Sequence, residues 1–206
     1  HGNAANVQRT MHQFKQAGFA GIMLEDQVSP KRCGHTGVKE VVDRDVAIER
    51  ISAAVEARRQ GADLVIVART DARSAFAQRY GEDRALDEAL WRLKAFADLG
   101  ADVLFLEAPR SEEEMLRFCA EVPGKRMANM LEGGVTPLLR PEQLSAMGFN
   151  LVAYPLTLLA SAAFAMRQAV SDLQNGKTPE TMLSFSELKA LVGFDIYDNI
   201  MTKRIH

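Results

Sequence analysis

The sequence has few cysteines, no long apolar run and almost no net charge. Two cysteines in 206 residues do not make a disulfide scaffold and fit a reducing compartment, so we expect a cytoplasmic protein. Because no stretch of about 18 uncharged apolar residues occurs, we expect no helix that spans a membrane. With a net charge of −2, the chain lacks the basic field that binds nucleic acid. These absences predict a soluble globular protein that binds neither nucleic acid nor membranes.

Five short apolar runs alternate with helical patterns along the chain. Their continuous apolar character is typical of strands that are buried on both faces of a parallel sheet. The runs are residues 21–25, 63–68, 102–107, 126–130 and 150–154. The helical patterns cover residues 4–18, 43–60, 85–99, 111–121, a segment from Pro141, and 156–174. This alternation predicts an α/β fold with a parallel sheet and right-handed crossovers.

Polar residues at the strand ends favour a barrel over an open doubly wound sheet. Glu25-Asp26, Arg69-Thr70-Asp71, Glu107 and Asn129 each stand at or just past the end of a strand. In a barrel such side chains converge on one active site, whereas an open sheet usually carries a glycine-rich turn at one point, which this sequence lacks. We therefore predict a (β/α)8 barrel with strands four to eight present, in one domain over 1–206. Three further strands are expected before His1.

The longest loop between a strand and a helix follows Asp26 and contains the sequence KRCGH at positions 31–35. Loops of this kind usually have about 2–6 residues, and longer ones are often binding loops. Lys31 and Arg32 next to Cys33 favour the reactive thiolate. The alternative is that Cys33 is an incidental thiol in a solvated basic patch, and the spacing alone does not decide between the two.

Five segments together resemble the isocitrate lyase and phosphoenolpyruvate mutase superfamily. They are LEDQVSPKRCGH, VARTDAR, FLEAPRS, MANMLEGGVTPLL and VAYPLTLL. The KRCGH segment is similar to the lyase branch, which includes 2,3-dimethylmalate lyase and methylisocitrate lyase. The resemblance implies a (β/α)8 barrel and bound Mg2+, with Mn2+ as an alternative. It also implies cleavage of a carbon–carbon bond in a 2-hydroxy acid, giving an oxo acid and a second carboxylate.

The resemblance also assigns roles to individual residues. Cys33 is the catalytic thiol that protonates the departing carbanion, and Glu25 holds metal-bound water. The substrate-binding residues that it implies are Lys31, Arg32, Gly34, His35, Arg69, Glu107, Asn129 and Thr136. A structural alternative stays open for several of them: Arg69 pairs with Asp71 or Glu107, and Thr136 only begins a turn before Pro137.

Two parts of the family pattern are absent from the sequence. The Asp-x-Asp-x-Gly segment with the main metal ligands does not occur, so we expect those aspartates upstream of His1. The arginine that methylisocitrate lyases carry soon after Tyr-Pro-Leu is also missing, since no cation follows Tyr154 until Arg167. An unpaired third carboxylate would be costly to bury. We therefore favour a substituted malate as substrate, with methylisocitrate cleavage or oxaloacetate hydrolysis or decarboxylation as alternatives. The alternative without enzymatic activity is that the chain is a barrel fragment that assembles only with a partner.

A helical segment beyond the predicted barrel has an apolar side without an evident partner. The breaker at 175–179 is followed by a helical pattern at about 184–202, within an extension that we assign to residues 180–206. An isolated amphipathic helix of this length is marginal in water. One alternative is that the helix folds back onto its own barrel. The resemblance instead implies exchange of this helix between subunits, so we expect a homotetramer built as a dimer of dimers.

Overall fold

The computed structural model describes residues 2–31 and 39–204, which form two compact units, His1–Leu156 and Thr157–His206. The first unit contains a five-stranded sheet and six helices among its described residues. Its strands are β1 (Gly21–Glu25), β2 (Val65–Thr70), β3 (Val103–Leu106), β4 (Lys125–Asn129) and β5 (Leu151–Ala153). Its helices are α1 (Ala4–Gln16), α2 (Arg44–Arg59), α3 (Ala72–Tyr80), α4 (Glu82–Leu99), α5 (Glu112–Glu121) and α6 (Pro141–Met147).

All neighbouring strands of the sheet are parallel, and their spatial order follows their order in the sequence. β1 pairs with β2, β2 with β3, β3 with β4 and β4 with β5. A doubly wound sheet reverses its strand order at one point, whereas a barrel adds each strand beside the previous one. The five strands therefore form half of a barrel, which confirms the predicted fold class.

Local sequence signals explain where several helices begin and end. The hydroxyl of Ser111 accepts a 3.2 Å hydrogen bond from the backbone N–H of Glu114, as expected of an N-cap at the start of α5. Gly100 ends α4 and Gly148 ends α6 with φ angles of 102° and 107°. Because glycine adopts this left-handed conformation without steric cost, each helix can stop there, and three residues separate it from the next strand.

The core lies between the sheet and the helices packed on it. Ile66, Ala68 and Leu104 from the strands are fully buried, as are Leu93 from α4 and Met11 from α1. Burial of each large side chain of this kind stabilises the fold by about 1.5–3 kcal/mol. This packing holds the strand ends, and the polar groups on them, in fixed positions.

One helix was missed and another was predicted as a single segment although it is two. The sequence analysis assigned no element to α3, a weakly amphipathic segment in which the buried Arg73 is bonded to Glu114. The single helix expected at 184–202 is divided into α8 (Phe185–Leu191) and α9 (Phe194–Arg204). Gly193, with a φ of 83°, stands between them and breaks the helical path.

The second unit consists of α8, α9 and the preceding α7 (Thr157–Gln174). None of the described residues of α7 or α8 is buried. Several large apolar side chains are exposed by more than half, including Leu158, Phe185, Leu191 and Ile196. Within the described part of the chain, no helix is both long enough and apolar enough to cross a bilayer.

Candidate active site

Arg69 lies at the carboxyl end of the sheet, between the ends of two neighbouring strands. In the strand register it is opposite Glu25 of β1 on one side and Phe105 of β3 on the other. Its guanidinium is 5.3 Å from the centre of the Phe105 ring. Because parallel strands end at the same edge, residues that are far apart in the sequence meet here.

Three carboxylates surround the Arg69 guanidinium. Nε donates to Oδ2 of Asp71 at 2.9 Å and Nη2 donates to Oδ1 at 3.0 Å, so this pair is bidentate. Nε also lies 3.4 Å from Oε2 of Glu25, and Nη2 lies 3.5 Å from Oε1 of Glu107. Burial acts to lower the pKa of Arg69, but these carboxylates outweigh burial and raise it. None of these four contacts uses Nη1.

Lys31 adds a second cation to this edge. Its Nζ lies 2.8 Å from Oε1 of Glu25, and the Lys31 side chain is 44% exposed whereas that of Glu25 is 10% exposed. Glu25 is therefore held between a partly exposed lysine and a largely buried arginine. The structure thus brings together four of the predicted site residues, namely Glu25, Lys31, Arg69 and Glu107.

Asp26, Asp71 and Lys39 form a buried polar layer that the sequence-based list of site residues omits. Nζ of Lys39 lies 2.7 Å from Oδ1 of Asp71, and both side chains are at most 2% exposed. The backbone N–H of Asp71 donates to Oδ1 of Asp26 at 2.9 Å. The positions of Asp26 and Asp71 just past strand ends were a signal for their placement, whereas nothing in the sequence pattern singled out Lys39.

The two carboxyl groups of this layer have opposite pKa shifts. Burial is the main cause that raises the pKa of Asp26, against hydrogen bonds from Thr70 and Asp71. Burial also acts to raise the pKa of Asp71, but hydrogen bonds and charges from Arg69 and Lys39 together hold it below its ordinary value. Asp71 is therefore the ionised partner of two cations.

The remaining predicted residues occupy separate positions. Glu107 follows β3, is 2% exposed, and its backbone N–H donates to the carbonyl of Thr70 at 3.2 Å. Asn129 ends β4, and its buried Oδ1 accepts no hydrogen bond from the described residues. Thr136 is half-buried in the loop between β4 and α6. The predicted residues Arg32, Cys33, Gly34 and His35 lie outside the described residues.

The described residues do not by themselves fit a Mg2+ ion. In the part of the chain that the structure describes, no group of three or more His, Cys, Asp or Glu side chains could hold a metal. Glu25, the expected ligand through water, is engaged by Lys31 and Arg69. Mg2+ prefers octahedral oxygen coordination, and one carboxylate already paired with two cations does not supply it.

Comparisons with known proteins support the family resemblance. The family model described as phosphoenolpyruvate phosphomutase matches residues 1–174. The chain is 42% identical over 198 residues to 2,3-dimethylmalate lyase of Eubacterium barkeri, covering 94% of this chain and 65% of that protein. The chain therefore spans less than two thirds of the length of this relative.

Solved structures also support the family resemblance. The structure of oxaloacetate acetylhydrolase in complex with 3,3-difluorooxalacetate matches with a TM-score of 0.84 and 34% identity, over 98% of this chain and 67% of that one. A crystal structure of 2,3-dimethylmalate lyase, described as a PEP mutase/isocitrate lyase superfamily member, matches with a TM-score of 0.81 and 35% identity. That match covers 98% of this chain and 66% of the other.

Proposed function

This chain belongs to the PEP mutase/isocitrate lyase superfamily, and from that membership we propose that it is part of a carbon–carbon lyase for a substituted 2-hydroxy dicarboxylate. The substrate class that we favour is a substituted malate. The products would be an oxo acid, such as pyruvate or glyoxylate, and a second carboxylate.

The observation that carries the proposal is the position of Arg69. Its side chain is 13% exposed and held on its Nε and Nη2 side by Asp71, while Nη1 is used in none of the four contacts described. Arginine suits carboxylates because its planar group donates along more than one edge. We therefore assign Nη1 to a substrate carboxylate and assign the Lys31 ammonium to the same charged pocket.

The proposed reaction is a retro-aldol cleavage. The 2-hydroxyl loses its proton to solvent, from which the Cys33 thiol is later restored, while C2 becomes the carbonyl carbon of the oxo acid and the bond between C2 and C3 breaks. The electron pair passes to C3, which takes up a proton to give the second carboxylate. Cys33 is the proposed donor of that proton, and general acid help of this kind contributes about 10²–10⁴-fold.

The charge pattern favours a dicarboxylate over a tricarboxylate. Between Tyr154, which follows β5, and Arg167 in α7, the sequence contains no cation to pair with a third carboxylate. Leaving a buried charge without a partner costs several kcal/mol. Methylisocitrate is therefore the less favoured substrate.

Oxaloacetate hydrolysis is the second candidate function. It is favoured by the similarity to oxaloacetate acetylhydrolase, whose structure matches this chain with a TM-score of 0.84. In that reaction water adds across the bond between C2 and C3 of oxaloacetate, giving oxalate and acetate. The same Arg69 contact would serve it, because the substrate is again a small dicarboxylate.

A substrate panel tests the proposed function. The full-length protein is incubated with Mg2+ and 2-methylmalate, 2,3-dimethylmalate, 2-methylisocitrate or oxaloacetate, and released pyruvate, glyoxylate, succinate and oxalate are measured. We expect pyruvate from a substituted malate. Oxalate from oxaloacetate would favour the second candidate, and succinate released together with pyruvate from 2-methylisocitrate would contradict the choice of a dicarboxylate. No product from any of the four acids would contradict the proposed function itself.

Matched arginine variants show whether the product comes from this site. Arg69→Met is expected to lower kcat/KM at least about a hundredfold, because a charged contact to the reacting substrate is lost. Arg117 is a partly exposed arginine on α5 that pairs with Asp87 and Glu121. Arg117→Met should therefore keep kcat/KM within about threefold of the parent.

A further inference from the structure

We propose that Asp71 is a positioning residue for Arg69 and that Lys39 holds Asp71 in place for this purpose. The inference deepens the proposed function and rests on it. Asp71 follows β2 two residues after Arg69 and takes the Nε and Nη2 donors of Arg69 at 2.9 and 3.0 Å. This bidentate contact fixes both the direction and the rotation of the guanidinium plane.

Asp71 is itself fixed by the side chain of Lys39 and by the carboxylate of Asp26. Its Oδ1 receives the ammonium of Lys39 at 2.7 Å, in addition to Nη2 of Arg69. Its backbone N–H is bound to Asp26, which also accepts a 2.6 Å hydrogen bond from Thr70. Asp71 therefore has little freedom in either its side chain or its backbone, and this rigidity is transmitted to Arg69.

The balance of charge in this layer requires an ionised Asp71. Two cations, Arg69 and Lys39, share one carboxylate whose side chain is fully buried. Replacing that carboxylate by an amide leaves both cations facing a neutral group that carries N–H donors of its own. Arg69 would then turn toward its remaining acidic neighbours, Glu25 and Glu107, which now lie 3.4 and 3.5 Å away.

Turning Arg69 would move the donor that we assign to the substrate. With Nε and Nη2 fixed by the protein, Nη1 has one defined position at the edge of the sheet. Small misplacements of a positioning group can cost about a hundredfold in rate, because the substrate no longer sits in a reactive geometry. Asp71 therefore influences substrate binding through Arg69, without contacting the substrate itself.

The kinetic test is a double-mutant cycle in the full-length protein. Asp71→Asn is expected to lower kcat/KM by about ten- to a hundredfold in the parent. In an Arg69→Lys background, where lysine cannot form the bidentate pair, the same substitution should change kcat/KM by less than about threefold. Equal effects in the two backgrounds would overturn the proposal, since Asp71 would then act independently of Arg69.

Asp102→Asn provides the matched control. Asp102 also pairs with an arginine, Arg58, and also accepts a backbone N–H, that of Ile66 at 2.8 Å. It precedes β3, however, and so lies at the opposite end of the sheet from Arg69. Asp102→Asn should keep kcat/KM within about threefold of the parent, whatever it does to stability.

Crystal structures test the same inference without any activity. In Asp71→Asn we expect the Arg69 guanidinium to leave its present position by more than about 1 Å, while Asp102→Asn leaves it unchanged. If Asp71→Asn does not fold, Lys39→Met serves instead, because it frees Asp71 and should also displace Arg69. An Arg69 that stays in place in the folded variant overturns the proposal. If the parent releases no product from any acid while Arg69 moves as expected, the proposed function fails but the positioning role stands.

Discussion

Oγ1 of Thr70 donates a 2.6 Å hydrogen bond to Oδ2 of Asp26, which joins the ends of two neighbouring strands across 44 positions of sequence. The same carboxylate accepts the backbone N–H of Asp71 at 2.9 Å and a 3.2 Å contact from Nη1 of Arg92. Asp26 thereby connects the end of β1 with the end of β2 and with α4. Since Arg69 and Asp71 flank Thr70, this carboxylate sets the geometry of the candidate site.

Removing the Asp26 carboxylate should destabilise the fold strongly. Asp26→Ala leaves Arg92, which is 2% exposed, without one of its two carboxylate partners and leaves a buried backbone N–H without an acceptor. We expect a loss of about 3 kcal/mol in the free energy of unfolding, measured by urea titration. Asp98→Ala, at an exposed position of α4, should change it by less than about 0.5 kcal/mol. A loss at Asp26 no larger than that of the control would contradict this account.

Substitution by glycine should cost less stability at Ala108 than at an alanine inside a helix. The φ of 57° at Ala108 is left-handed, which costs a residue with a side chain about 1–2 kcal/mol. Ala108→Gly removes that penalty, so we expect no loss of stability or a gain of up to about 1 kcal/mol, after the greater entropy of unfolded glycine is counted. Ala89→Gly, in the interior of α4, should instead cost about 1 kcal/mol or more. Thermal and urea unfolding of both variants measure the difference, and similar losses in the two would refute the prediction.

The stabilisation that Glu114 gives to the folded state should be lost in acid. Burial acts to raise the pKa of Glu114, but hydrogen bonds from Arg73 and from the backbone of Arg110 lower it below its ordinary value of 4.5. Because the unfolded chain then binds the proton more tightly, this stabilisation is present above the ordinary pKa and is lost as the pH falls through the folded pKa. Glu114→Gln should therefore flatten the fall in stability below about pH 5. Glu113→Gln, on the exposed side of the same turn, is the control, and a parent-like slope in Glu114→Gln would contradict the expectation.

Cys33 should be needed for turnover more than for binding, if it is the proton donor that the family resemblance implies. A donor acts mainly in the transition state, so Cys33→Ser or Cys33→Ala in the full-length protein should lower kcat by about a hundredfold or more and leave KM nearly unchanged. Cys119, half-buried on α5, is the matched control for loss of a thiol. Activity of the Cys33 variants within about threefold of the parent would remove this residue from the mechanism.

The C-terminal helices should be buried by a neighbouring subunit. α8 and α9 expose large apolar side chains, among them Phe185 at 79%, Leu191 at 73% and Ile196 at 67%. Exposed apolar patches of this kind mark interaction surfaces. We expect the full-length protein to be a homo-oligomer by light scattering at micromolar concentration, and a chain cut after Pro179 to lose solubility. A monomeric full-length protein would show that these helices are not exchanged.

The sequence predicted the strands well because each apolar run had to be buried. All five strands begin and end within two residues of their predicted positions, and Glu25, Arg69 and Glu107 stand where the strand ends were expected. The prediction was weaker where a contact with a distant residue decides the local structure. In α3, Arg73 pairs with Glu114, and a pairing of this kind leaves no periodic pattern in the sequence.

The sequence by itself determined the order of strands and helices, the parallel sheet and the residue types at the carboxyl edge, because apolar periodicity and helix stops are local properties. Only the tertiary structure decided which partners those residues take. It placed Asp71 rather than a solvent-exposed group against Arg69, and it brought Lys39 from across the long loop to the same carboxylate. Such pairings depend on the distance between strand ends after packing, and in a low-dielectric interior that distance decides which charges compensate one another.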